Sequence, residues 1–121
     1  MKRPLVVLYQ TGAKRDARVG KGRYDLLLPE AIEALAKHLE RTGAKHGERN
    51  YEKGMPLSRF ADSALRHLFQ MLEGRTDEDH AVSALWNLAA LVGLRARIRA
   101  GRLPEWLDDL PNSGRKNASE G

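Results

Sequence analysis

Three sets of residues in this chain carry side chains suited to chemistry. The first is cationic. Residues 11–28 read TGAKRDARVGKGRYDLLL, with Lys14, Arg15, Arg18, Lys21 and Arg23 set against only Asp16 and Asp25. Gly12, Gly20 and Gly22 punctuate the stretch, and glycine lets backbone approach a ligand closely. Arginine and lysine make charge-assisted hydrogen bonds to phosphate. The stretch runs into a predicted helix start at Pro29, where free backbone N–H groups favour anions. Arg15, Arg18, Lys21 and Arg23 are therefore candidate phosphate contacts, with a solvated loop as the alternative. No nucleotide signature is complete. Arg15 stands where a Walker A loop needs its first glycine, and Asp25 where a dinucleotide fingerprint needs its third.

The second set is acidic. Asp77, Glu78, Asp79 and His80 are consecutive, offering hard oxygen ligands and an imidazole. With Asp62 on the preceding helix, Asp77 and Asp79 are the acids best placed for Mg²⁺. The alternative is helix capping, with Thr76 as N-cap and the three acids in the first turn.

The third set is polar residues on helices. His80 and Asn87 lie two helical turns apart on one face of the apolar run 81–94, with Ser83 between them. An unpartnered buried polar group costs about 1–3 kcal/mol. They must either bond Asp62, Arg66 or His67 of the helix before, or line a pocket. Arg66, His67, His80 and Asn87 form the candidate pocket, with Asp62 orienting Arg66. His67 and His80 leave two readings open: convergence on one metal, or hydrogen-bonded core histidines. His38 and His46 are expected at the surface. Ser/His/Asp catalysis is set aside because the serines sit within helices or in the tail, without an elbow motif.

The elements that must position these groups are mostly helical. Pro4 to Tyr9 predicts one short strand or extended arm, which must pair with another chain or lie on helices. Helices are predicted from Pro29 to Gly43, from Leu57 to Glu73 and from Thr76 to Leu94, with a last short one within Leu103–Leu110. In that last one Trp106 and Leu110 should pack back. The second helix carries an apolar stripe of Leu57, Phe60, Ala61, Ala64, Leu65, Leu68 and Leu72. The third is apolar almost all round, which predicts a central buried helix. The fold class is thus mostly α: a small domain of three to four helices with long basic loops and one short N-terminal strand. Residues 1–10 form the arm, 11–110 one helical domain, and 111–121 a flexible tail.

Composition narrows the field. At 121 residues, 41% hydrophobic and 31% charged, the chain predicts one soluble globular domain. No apolar run approaches the roughly 20 residues of a membrane span. The absence of cysteine excludes disulfides, zinc–thiolate sites and cysteine nucleophiles. A net charge of +5 favours an anionic partner. Nucleic acid is the less favoured one, because aromatics are only 6% and no helix shows a compact recognition pattern. Three short helices expose apolar surface, so a homo-oligomer is expected.

Several blocks together resemble a known family. Thr11–Asp16 and Gly20–Ala31 are similar to the opening of a phage and prophage domain, the N-terminal domain of dATP/dGTP diphosphohydrolase. Gly43–Gly54 resembles its middle block, with Tyr51 where tryptophan is usual. Phe60–Leu68, Asp77–His80 and Ala84–Asn87 resemble its last blocks, so the likeness runs over about residues 11–94. Arg49, Asn50, Tyr51 and Lys53 of the middle block join the candidate ligand contacts. The resemblance implies a cytoplasmic protein of the bacterial host and Mg²⁺-dependent hydrolysis of a deoxynucleoside triphosphate to monophosphate and pyrophosphate. It also implies likeness to all-helical MazG-like modules, which hold magnesium through paired acids on two helices. The matching positions on the second of these are His80 and Ser83, and neither is an acid. Two functions are therefore expected. One is binding of a phosphorylated nucleotide, such as a host immune signal held without being broken. The other is the hydrolysis itself.

Overall fold

The computed structural model describes residues 5–111. Two short strands, β1 (Val6–Leu8) and β2 (Lys14–Asp16), form an antiparallel hairpin in which Val7 faces Arg15. The predicted N-terminal strand is present, but its partner is local rather than another chain. Gly12, at φ 89°, makes the turn, and its N–H donates to the Tyr9 carbonyl at 2.9 Å. Residues 5–16 are exposed throughout.

Three helices follow: α1 (Pro29–His46), α2 (Leu57–Leu72) and α3 (His80–Arg99). α1 runs through Gly43, where the sequence suggested a stop. Its end is Gly47, whose φ of 97° is one that other residues seldom adopt. Lys45 and His46 occupy the last turn, where cations suit the helix dipole. α2 starts after Pro56 and ends before Gly74, as its sequence predicts.

The start of α3 departs from expectation. Asp79, not Thr76, is the N-cap, and its side chain accepts from the Val82 N–H at 3.1 Å. Asp77 and Glu78 therefore lie in the turn ahead of the helix, where Asp77 meets His80 and Glu78 reaches across to His67 of α2.

The core lies between α2 and α3. Leu57 and Phe60 pack with Ala90, Leu91, Leu94 and Ile98, and Leu107 of a one-turn 3₁₀ segment (Glu105–Leu107) closes one end. Trp106 was expected to pack back but is 67% exposed; its neighbour Leu107 takes the buried place. Gly54 allows this closure. Its φ is 96°, and a Cβ there would lie 2.8 Å from Leu107 Cδ1. The same end is tied by Arg95, which donates to both carboxylate oxygens of buried Asp108 at 3.1 and 3.2 Å.

α3 is central but not enclosed. α1 and α2 cover part of its circumference, and Leu85, Leu88 and Val92 stay exposed. Leu65, Leu68 and Leu72, from the predicted buried side of α2, are exposed as well, and so is Phe69. α3 is long and apolar enough to cross a membrane by length and composition only, with a mean hydropathy of 1.2, a test that core helices of soluble proteins also pass. The last predicted segment, 111–121, lies beyond the described residues apart from Pro111.

Candidate functional site

Two imidazoles and two carboxylates converge where the turn ahead of α3 meets α2. His80 begins α3 and its side chain is 2% exposed. Its Nε2 lies 2.9 Å from Asp77 Oδ1. A carboxylate only accepts, so Nε2–H is the donor of this bond, which leaves Nδ1 as the nitrogen that can offer a lone pair. That Nδ1 faces His67 Nδ1 of α2 at 3.0 Å. Glu78 Oε1 completes a triangle, 3.3 Å from His67 Nδ1 and 3.7 Å from His80 Nδ1. The Ser83 hydroxyl donates to the same oxygen at 3.1 Å. The hydrogen bond from His80 holds the Asp77 carboxyl below its ordinary range. Burial pushes the His67 ring toward its neutral form, with Glu78 opposing.

A groove of about 520 Å³ runs beside this cluster, lined by His38, Arg41 and Thr42 of α1 and by Asp77, Glu78 and Asp79 opposite. His38 sits at its wall. Burial lowers its pKa first and the charge of Arg41 second, so the ring is neutral near pH 7. A second hollow of about 220 Å³ shares His38 and Thr42 and is lined further by Asn50, Tyr51 and Trp86. Tyr51 meets Trp86 edge-to-face, with ring centres 4.8 Å apart. One side of His38 is thus charged and the other aromatic.

The sequence-predicted residues divide between this region and elsewhere. His67 and His80 meet, as one reading of the helices required. Asn50 and Tyr51 line the aromatic hollow. Asn87 instead donates along its own helix to the Ser83 carbonyl at 2.8 Å. Arg66 and Asp62 are exposed, and among the described residues no ion pair joins them. Arg49 pairs with Glu52 at 2.8 Å, and Lys53 is exposed. In the basic stretch, Arg23 is held by Asp25 through two bonds of 2.8 Å, and Arg18 lies 4.0 Å from the same carboxylate. Arg15, in β2, and Lys21 are exposed, without an ion pair among the described residues.

The acids proposed for Mg²⁺ do not form one ligand set. Among the described residues the group whose ligand atoms lie within 4.8 Å of one another is His67, Glu78 and His80. Asp77 and Asp79 instead serve His80 and the α3 cap. Mg²⁺ takes oxygen ligands in near-ideal octahedra, so two imidazoles in a set of three do not suit it.

His38, Arg41, Thr42 and Trp86 were not foreseen as site residues, and Glu78, one of the consecutive acids, was not among those assigned to Mg²⁺. His38, expected at the surface, is buried at 9% exposure, because α1 turns it inward against the α3 start. A signal existed: His38, Arg41 and Thr42 recur at helical spacing and so share one face. Glu78 carried both readings, oxygen ligand and capping acid, and local sequence does not separate them.

Searches among curated proteins and solved structures find no match for this chain. A family model does match, over residues 11–101, a span that takes in β2, all three helices and every residue of the histidine cluster and the groove. The chain belongs to the family described as dATP/dGTP diphosphohydrolase, N-terminal.

Proposed function

We propose that this domain binds a phosphorylated nucleotide along the face of α1 that carries His38. The observation that carries the reading is the pairing of two hollows on that residue. The aromatic one, with Tyr51, Trp86 and Asn50, suits a base, offering ring surface and an amide for edge recognition. In the charged one, Arg41 of α1 is the cation for phosphate oxygens, and the carboxylates of Asp77, Glu78 and Asp79 opposite repel them, which keeps the phosphates on the α1 wall. His38 and Thr42, common to both, are placed at the sugar. Arg15 and Lys21 are the further cations of the basic stretch available to a phosphate tail. Family membership supports a nucleotide with a polyphosphate chain.

Binding without cleavage is the favoured reading, since among the described residues the acids expected for Mg²⁺ do not form one ligand set. The second reading is hydrolysis to the monophosphate and pyrophosphate, favoured by the family description. Incubating the protein with a panel of deoxynucleotides and signal nucleotides, with and without divalent cations, separates the two. Intact nucleotide released after heat denaturation supports retention. Monophosphate with pyrophosphate supports hydrolysis, and neither product nor retained ligand refutes the whole reading.

The proposal includes self-association through the outward face of α2 and α3. Phe69 and Leu72 of α2 and Val92 of α3 are between 63% and 77% exposed, and large apolar side chains left in water suit an interface between copies. Light scattering on the purified chain tests it: twice the 13.6 kDa chain mass is expected, and a monomer rejects it.

A further inference from the structure

We propose that His67, Glu78 and His80 form a site for a borderline transition-metal ion of the Zn²⁺, Co²⁺ or Ni²⁺ kind. The site stands on its own geometry and does not depend on the nucleotide reading. Zn²⁺ binds imidazole nitrogen and carboxylate oxygen at about 2.0–2.2 Å, so tetrahedral ligand atoms lie about 3.3–3.5 Å apart. The three separations here, 3.0, 3.3 and 3.7 Å, scatter about that value.

The surroundings are those of a metal centre as well as its ligands. The carboxylate of Asp77 accepts from His80 Nε2–H and so directs the lone pair of Nδ1 into the triangle. Ligating histidines commonly donate their second N–H to a carboxylate in this way. Ser83 orients the Glu78 oxygen that faces both rings. The rings are shielded, with side chains 2% and 12% exposed, while Glu78 is 49% exposed and also lines the groove. An ion therefore has a route in from the groove and a fourth position for water or a ligand oxygen. Two imidazoles and one carboxylate select zinc-like ions over magnesium. The competing account is a plain hydrogen-bonded chain running His67–His80–Asp77 with no metal affinity.

The test uses the full chain, stripped with a chelator, dialysed and free of nucleotide. Co²⁺ is titrated as an absorption probe, and Zn²⁺ and Mg²⁺ by calorimetry. One Co²⁺ or Zn²⁺ per chain is expected, with Zn²⁺ bound at least about a hundredfold more tightly than Mg²⁺. Co²⁺ should show the intense visible bands of low coordination number. His67→Ala should abolish those bands. Glu78→Gln keeps an acceptor for Ser83 and should weaken Zn²⁺ at least about tenfold, as should Asp77→Asn. Circular dichroism checks that each variant is folded. Absence of stoichiometric Co²⁺ and Zn²⁺ binding by the wild-type chain overturns the site, as does equal affinity for Mg²⁺. So does binding that folded His67→Ala and Glu78→Gln leave unchanged. Nucleotide binding that survives any of these results is unaffected by them.

Discussion

Replacing Arg41 with alanine should weaken nucleotide binding while leaving the fold intact. Arg41 lines the charged half of the groove and is exposed. Among the described residues it makes no ion pair, so its loss strands no buried carboxylate. The change in stability should stay within about 0.5 kcal/mol, as for most surface substitutions. A hydrogen bond to a charged group contributes about 1.5–3 kcal/mol. At 1.4 kcal/mol per factor of ten, the dissociation constant should rise about 10- to 100-fold. Arg23→Ala is the matched control. Its guanidinium already gives two bonds of 2.8 Å to Asp25, so a phosphate would have to displace that partner, and affinity should change little. Calorimetry with the nucleotide retained in the panel experiment measures both variants, and thermal melts confirm the fold. A second readout comes from His38. The charge of Arg41 helps to hold the His38 pKa down, so in Arg41→Ala the ring should titrate higher by NMR. Unchanged affinity in Arg41→Ala, together with strong loss in an Arg15→Ala/Lys21→Ala double variant, would refute the groove and move the phosphates to the hairpin side.

Three predictions concern the frame that holds the site. Asp108→Ala should cost about 3 kcal/mol, because it deletes two charge-assisted bonds and leaves the Arg95 head unpaired at the end of the core. Chemical denaturation measures it, and Arg95→Met/Asp108→Leu should recover most of the loss; a cost under about 1 kcal/mol would show that the pair does not brace the 3₁₀ segment. Gly54→Ala should destabilise by about 1–3 kcal/mol, since it combines positive φ with a 2.8 Å approach to Leu107, and an unchanged melting temperature would reject that packing. Glu52 accepts from Arg49 and Arg97, which lowers its pKa below the unfolded value. Its stabilising contribution is therefore complete above the ordinary glutamate value of about 4.3 and fades as pH falls through the lowered one. Glu52→Gln should flatten the acid limb of the melting-temperature profile, and parallel limbs in the two proteins would argue against this linkage.

Much of the fold was legible in local pattern. The glycine ending α2 and the polar interruption of an apolar run at His80 are short-range signals, and helices are built from short-range contacts. That a histidine in such a run needs a polar partner follows from desolvation alone, and His67 is that partner. Other features depend on what lies opposite. β2 reads Lys-Arg-Asp, with no β-branched residue to mark it, and becomes a strand only because β1 pairs with it. The exposure of Leu65, Leu68 and Leu72 could not be read from their stripe. Periodicity says which residues share a face, not whether a neighbour covers it.

The site divides along the same line. The types of its residues, and the face shared by His38, Arg41 and Thr42, are properties of the sequence. Their meeting is not. His67 and His80 are thirteen positions apart, and His38 is farther still from the acids it faces. The step that joins them is a change of N-cap. With Asp79 capping α3, Asp77 and Glu78 leave the helical turn and swing to His80 and His67. Thr76 and Asp79 are both good caps by local preference. The choice between them is made by burial of His80, whose two ring nitrogens need partners that only α2 and this turn together provide.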